Sequence, residues 1–226
     1  MRVIPVLDLR AGRAVLARGG QRDSYAPVRS RLVAGGARGW GDPLALARAY
    51  RDILGCDEWY VADLDALAGG AVQHALLAAL AGLRGRLLVD AAVATPERAR
   101  EIVAGGAARV VVGLETLPSL DALAAVARAI GSERVAFSLD LRGGAPLTEA
   151  RLSGAPLELA GAAVAAGAGA IIVLDLARIG SGRGVDAMLL AGLLDGALVA
   201  TALHDGRIGR EDIAAVRRAG HSSDSR

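Results

Sequence analysis

The sequence predicts an α/β fold in which a parallel sheet is wrapped by helices. Three observations predict it. Short apolar runs alternate with Ala- and Leu-rich helical stretches along the 226 residues, the pattern of strands buried on both faces. The first run, Val3–Arg13 (VIPVLDLRAGR), returns at Val135–Gly144 as VAFSLDLRGG. Further pairs support a doubling: Val61–Asp65 (VADLD) with Val173–Leu176 (VLDL), and Arg109–Leu117 (RVVVGLETL) with Ala197–Leu203 (ALVATAL). Two related halves of four βα units each give a (βα)8 barrel of the TIM type. No G-x-G-x-x-G follows the first strand, so a dinucleotide fold has little support.

The elements follow in order. The first strand ends in Asp-Leu-Arg, and Arg13–Gly20 reads as a return strand. Gln21–Gly41 is polar and rich in Arg and Gly, a length that suggests an active-site loop. Asp42-Pro43 starts a helix running to about Leu54. Strand Glu58–Asp65, helix Ala71–Leu83 and strand Arg86–Val93 come next. Thr95-Pro96 opens a helix that Gly105-Gly106 ends. Strand Arg109–Gly113 and helix Ser119–Ile130 lead to the second Asp-Leu-Arg strand. Helix Pro156–Ala166, strand Ala170–Asp175, a Gly-rich stretch Leu176–Gly184, helix Asp186–Leu194, strand Ala197–Ala200 and helix Glu211–Arg218 complete the chain.

The count falls short of eight. From Asp63 to Gly113 there are 50 positions and a complete strand-helix unit, whereas the 25 from Asp175 to Ala200 hold only a helix. Seven strands are clear, and about one βα unit near the C-terminus is missing. An open barrel exposes two parallel edges, which invites association, as in a homo-oligomer, or instability. A single domain is expected over 1–220, with 221–226 as a disordered tail.

Composition narrows the chemistry. All 26 basic residues are Arg, and net charge is only +2. Without Lys there is no Schiff-base amine and no Walker-type phosphate loop. No basic run interleaved with aromatics points to nucleic acid. No apolar run reaches the roughly 20 residues of a membrane span, and no signal core precedes the first strand, so a cytoplasmic protein is expected. The single cysteine, Cys56, excludes an internal disulfide and is expected to be a packed thiol. No His, Cys and carboxylate grouping has metal-site spacing, and no cofactor is implied.

A carboxylate at the end of a buried strand is out of place unless it has work to do. Asp8 and Asp140 stand in equivalent places, 132 positions apart. Each either faces a ligand or simply pairs with its neighbour, Arg10 or Arg142, or caps a loop. IPVLDLRAGRAV, SLDLR and the half-repeat resemble the histidine-biosynthesis barrels, the HisA/HisF family of a phosphoribosyl-formimino aminoimidazole-carboxamide ribotide isomerase and its cyclase relative. The segments RGGQRDSY, VDAAVATPE and VVVGLETL compare best with a divergent HisA/HisF-related subgroup of archaea and some bacteria. The resemblance implies an Amadori rearrangement of a phosphorylated aminoaldose to an aminoketose. Asp8 would then be the general base and Asp140 the general acid, one of them held protonated near neutral pH.

The same resemblance implies phosphate held by backbone N–H groups of loops after the third, fourth, seventh and eighth strands. The substrate-binding candidates are Arg18, Arg22, Asp63, Gly113, Thr116, Asp175, Arg178, Ser181, Gly182 and Thr201. At the third strand this chain has Asp90-Ala91-Ala92 where the isomerase has glycines, and Asp90 would repel a phosphate. After the fourth, Glu115 adds a further negative charge. His204 with Asp205 reads as a surface turn or an acid/base pair; His74 and His221 receive no role. Two other functions fit the same residues: a barrel recruited to another small-anion pathway, such as one-carbon cofactor biosynthesis, and a non-catalytic barrel.

Overall fold

The computed structural model describes residues 2–17, 25–34, 39–148, 152–175 and 196–221. Its strands are β1 (Arg2–Arg10), β2 (Arg13–Ala17), β3 (Tyr25–Pro27), β4 (Glu58–Asp63), β5 (Arg86–Asp90), β6 (Arg109–Gly113), β7 (Val135–Arg142), β8 (Ala145–Pro146), β9 (Ala170–Asp175) and β10 (Gly196–Val199). Its helices are α1 (Pro43–Asp52), α2 (Leu64–Leu67), α3 (His74–Ala81), α4 (Pro96–Ala104), α5 (Leu120–Ile130), α6 (Pro156–Ala165), α7 (Thr201–His204) and α8 (Arg210–His221).

Among the described residues seven strands run parallel in the order β10-β1-β4-β5-β6-β7-β9. This is the strand order of a TIM-type barrel. Among the described residues β9 and β10 do not pair with each other. The predicted helix Asp186–Leu194 lies between them, outside the described residues.

Two faces give the sheet two cores. The outer face packs on the helices through a large cluster that includes Leu7, Leu9, Trp59, Val61, Leu87, Val89, Val110, Val112, Phe137 and Leu139. The inner face carries a smaller cluster: Ile4, Tyr60, Ala62, Leu88, Val111 and Ala136, with Val6, Ala170, Ile172 and Leu198 against it. Successive strand residues point to opposite faces. The two lists are therefore the odd and even positions of each strand.

Three helices, α1, α4 and α5, start where the sequence places their caps, whereas the helix expected from Ala71 begins at His74 without a side-chain cap. Asp42 Oδ1 accepts the N–H groups of Leu44 and Ala45, at 2.9 and 3.0 Å. Thr95 and Ser119 cap α4 and α5 in the same way. Each such cap contributes about 1 kcal/mol to its helix.

The doubled Asp-Leu-Arg motif builds a doubled hairpin. Arg10 pairs with Arg13 across Ala11-Gly12, and Arg142 pairs with Ala145 across Gly143-Gly144. All four turn residues have positive φ, +47 and +75 in the first and +61 and +84 in the second. Two-residue hairpin turns of this hand need positive φ at both positions, which favours glycine. The expected loop Gln21–Gly41 is shorter than its sequence suggests, because β3 pairs with β2 inside it. The predicted strand Glu58–Asp65 ends at Asp63, and Leu64 and Asp65 turn into α2. At the other end α8 continues to His221, the first residue of the expected tail.

Candidate active site

Inner-face positions lead directly to the mouth of the sheet. On β1, Ile4 and Val6 point inward, so Asp8 does too; on β7, Ala136 leads through Ser138 to Asp140. On β5, Leu88 leads to Asp90, and on β6 Val111 leads to Gly113. All four lie at the C-terminal ends of parallel strands, where catalytic residues of such barrels collect. Along the arc β1-β4-β5-β6-β7 the inner residues nearest the C-terminal ends are Asp8, Ala62, Asp90, Gly113 and Asp140, with Tyr60 one inner position before Ala62.

Their electrostatics agree with one shared interior. Asp8 is half-buried beside β2 and β4, opposite Val15 and Ala62. Loss of solvent pushes its carboxyl up to about 7. Asp140 is buried. The Ser138 hydroxyl donates to its Oδ1 at 2.7 Å, and the Glu115 N–H donates to its Oδ2 at 3.5 Å. Gly113 makes room for it, since a Cβ there would stand 3.3 Å from Asp140 Oδ2.

Asp90 is also buried and accepts the Tyr60 hydroxyl at 2.9 Å. Burial pushes it up to about 7; the Tyr60 hydroxyl opposes this, the Asp140 charge adds to it, the Ala92 N–H opposes it and the Asp8 charge adds slightly. Tyr60 is held well above its ordinary value, chiefly by burial and then by Asp90, with Asp140 and Asp8 contributing.

The other candidates divide. Thr116 donates its hydroxyl to the Gly113 carbonyl at 3.3 Å, closing the turn after β6 beside Asp140. Thr201 opens α7 just after β10, at the same end of the sheet. Asp175 ends β9 opposite Leu141 of β7. Arg18, Arg22, Arg178, Ser181 and Gly182 lie outside the described residues.

Asp63 is a correction. It sits on the outer face of β4 and is 0% exposed. Its Oδ1 accepts from the Ala66 N–H and Gln73 Nε2, and its Oδ2 from the Gln73 N–H, at 3.2, 2.9 and 2.7 Å. Both oxygens are occupied in holding α2 and the start of α3, so this residue braces the connection instead of meeting a substrate.

His204 is neither a surface turn nor half of an acid/base pair. It is buried, and its Nε2 meets the Tyr50 hydroxyl at 3.3 Å. Burial pushes it down to about 4, with Asp205 opposing only weakly. Asp205 turns away to Arg207, accepting Nε at 2.7 Å. Arg10 stacks over the Tyr25 ring at 5.8 Å, and Arg142 is exposed. Cys56 is buried as expected. Among the described residues no group of three His, Cys, Asp or Glu side chains is arranged to hold a metal ion.

Sequence reasoning named Asp90 only as an obstacle to phosphate and passed over Tyr60. The signal was present: RLLVD, like VIPVLD, is an apolar run ending in a carboxylate.

Comparison with known proteins settles the family. The family model described as histidine biosynthesis protein matches residues 2–223. The chain belongs to this family. Among its relatives is the 1-(5-phosphoribosyl)-5-(5-phosphoribosylamino)methylideneamino imidazole-4-carboxamide isomerase of Thermus thermophilus, 26% identical over 92% of this chain and 96% of that protein. The isomerase of the same name from Rubrobacter xylanophilus is 34% identical, over 80% of this chain and 72% of its own length. An uncharacterized protein of Methanocaldococcus jannaschii is 27% identical over 86% of this chain and 77% of its own.

Proposed function

We propose that this family member is an aldose–ketose isomerase of the imidazole-carboxamide ribotide type, with Asp8 and Asp140 as its acid–base pair. The observation that carries the reading is the position of the two carboxyls. They end β1 and β7, on the inner face of one parallel sheet, within electrostatic reach of the same Tyr60 and Asp90. The isomerase relatives at 26% and 34% identity support the reaction class.

In this reading the substrate is a small phosphorylated aminoaldose in its ring form. Asp140 protonates the ring oxygen as the C1–O bond breaks, and the amine lone pair forms the C1–N double bond. Asp8 then takes the proton from C2, giving an enol-amine; delivery of that proton to C1 and transfer of the C2 hydroxyl proton back to Asp140 yield the aminoketose and restore both carboxyls. A base is most effective with a pKa near the working pH, and burial brings Asp8 to about 7. The Ser138 hydroxyl serves either state of Asp140, because it both donates and accepts along the same 2.7 Å contact. Gly113, Thr116 and Thr201 offer backbone and hydroxyl donors for anionic groups around the mouth. The reaction needs no cofactor, and a cytoplasmic enzyme fits both the composition and the pathway.

The test is turnover of the ribotide by purified protein. Wild type is expected to isomerise it, and Asp8→Asn or Asp140→Asn to lose roughly 100-fold or more in kcat. No turnover by wild type, or Asp8→Asn within twofold of it, would overturn the assignment.

A further inference from the structure

The isomerisation above leaves the third inner carboxyl without a task. Asp90 ends β5, on the arc between Asp8 and Asp140, and is 8% exposed. Its Oδ2 is taken by the Tyr60 hydroxyl at 2.9 Å. Its Oδ1 is buried and has no hydrogen-bond partner of good geometry, although the Ala92 N–H lies near enough to the carboxyl to favour its charged form. Such an orphaned oxygen is uncommon and asks for an explanation. It is not tucked into the helix layer. Leu88, two residues earlier, packs on the inner face, and Tyr60 does the same from β4. Asp90 therefore points into the interior that Asp8 and Asp140 share, and both their charges act on it. Ala91 and Ala92 follow, the latter at φ +54, a conformation non-glycine residues seldom adopt.

We infer that Asp90 is a specificity-determining contact: its Oδ1 receives a hydroxyl or N–H group from the sugar-amine part of the substrate, and the β5 side of the mouth rejects phosphate. This deepens the isomerase reading and rests on it. A phosphate beside β5 would meet three carboxyls and add to their repulsion. A hydroxyl suits either protonation state, donating to a carboxylate oxygen or accepting from a carboxylic acid. It also supplies the partner that the described side chains do not. The phosphate groups then lie elsewhere around the mouth, toward β6 and β10, where Thr116 and Thr201 stand.

The experiment compares wild type, Asp90→Asn and Asp90→Ala in two assays, after circular dichroism shows which variants fold. Asn keeps an acceptor for Tyr60, so at least one variant is expected to retain the native fold. In the first assay, KM for the ribotide is expected to rise about tenfold, the equivalent of one lost hydrogen bond, with kcat changed less than threefold. In the second, titration calorimetry with inorganic phosphate is expected to show tighter binding in the variants, because a negative charge has gone. A KM within twofold of wild type in every folded variant would overturn the contact. If wild type does not turn over the ribotide, the isomerase reading fails, and the phosphate titration alone decides: tighter binding upholds phosphate rejection, and unchanged binding overturns it.

Discussion

Asp8 shows how one residue's surroundings set its chemistry. It lies in a strand whose other inner residues are apolar, and loss of water pushes its carboxyl up to about 7. In its proposed role as base it must be ionised, so kcat/KM is expected to fall as pH drops below about 7, as a pH–rate profile would show. The limb belongs to the coupled carboxyls rather than to Asp8 alone, because Asp90 also titrates at about 7 and senses Asp8 and Asp140. The same shift has a stability consequence. The folded chain keeps the Asp8 proton to about 7, whereas the unfolded chain releases it near 3.8. Between those values the folded state binds more protons, so this stabilisation is full below about pH 4 and is lost as pH rises through 7. For three units the cost is at most about 4 kcal/mol, and solvent at a half-buried group reduces it to about 2. Asp8→Asn is therefore expected to unfold at higher denaturant than wild type at pH 8, with the gain vanishing at pH 4. A gain that is the same at both pH values would contradict the burial argument.

At the scale of single elements, strand positions were readable and strand faces were not. An apolar run bounded by glycine marks a buried strand, but a strand buried on both faces has no alternation to say which side is inside. Asp63 and Asp90 therefore looked alike in the sequence, each closing an apolar run. Register separates them: Asp63 follows Trp59 and Val61 on the outer face, and Asp90 follows Leu88 on the inner. His204 was unreadable for a related reason, since its partner Tyr50 is 154 residues away in sequence. The first hairpin was legible because Ala11-Gly12 carries its turn chemistry locally; the return strand Ala145–Pro146 of the second was too short to read. Gly85 gives a second test at this scale. A Cβ on it would collide with the Trp59 ring, which is fully buried between sheet and helices. Gly85→Ala is expected to cost about 2 kcal/mol in a thermal or urea melt through overpacking, while leaving KM unchanged because the collision is on the outer face.

Across the whole molecule the doubled sequence becomes a doubled structure. β1 with its hairpin and β7 with its hairpin repeat one design, each delivering an inward aspartate three residues before the turn. The seven parallel strands of the described residues match the number of clear apolar runs in the sequence. What the doubling supplies is a pair of carboxyls on the inner face of one sheet, one from each half. Groups that act as one unit are non-additive: once one is lost, removing the other costs little more. The most direct test is therefore kcat for Asp8→Asn, Asp140→Asn and the double variant. The account predicts that each single change costs at least roughly 100-fold and that the double stays within about tenfold of the worse single. Singles that keep near-wild-type rates, or losses that simply multiply in the double, would contradict a shared acid–base pair.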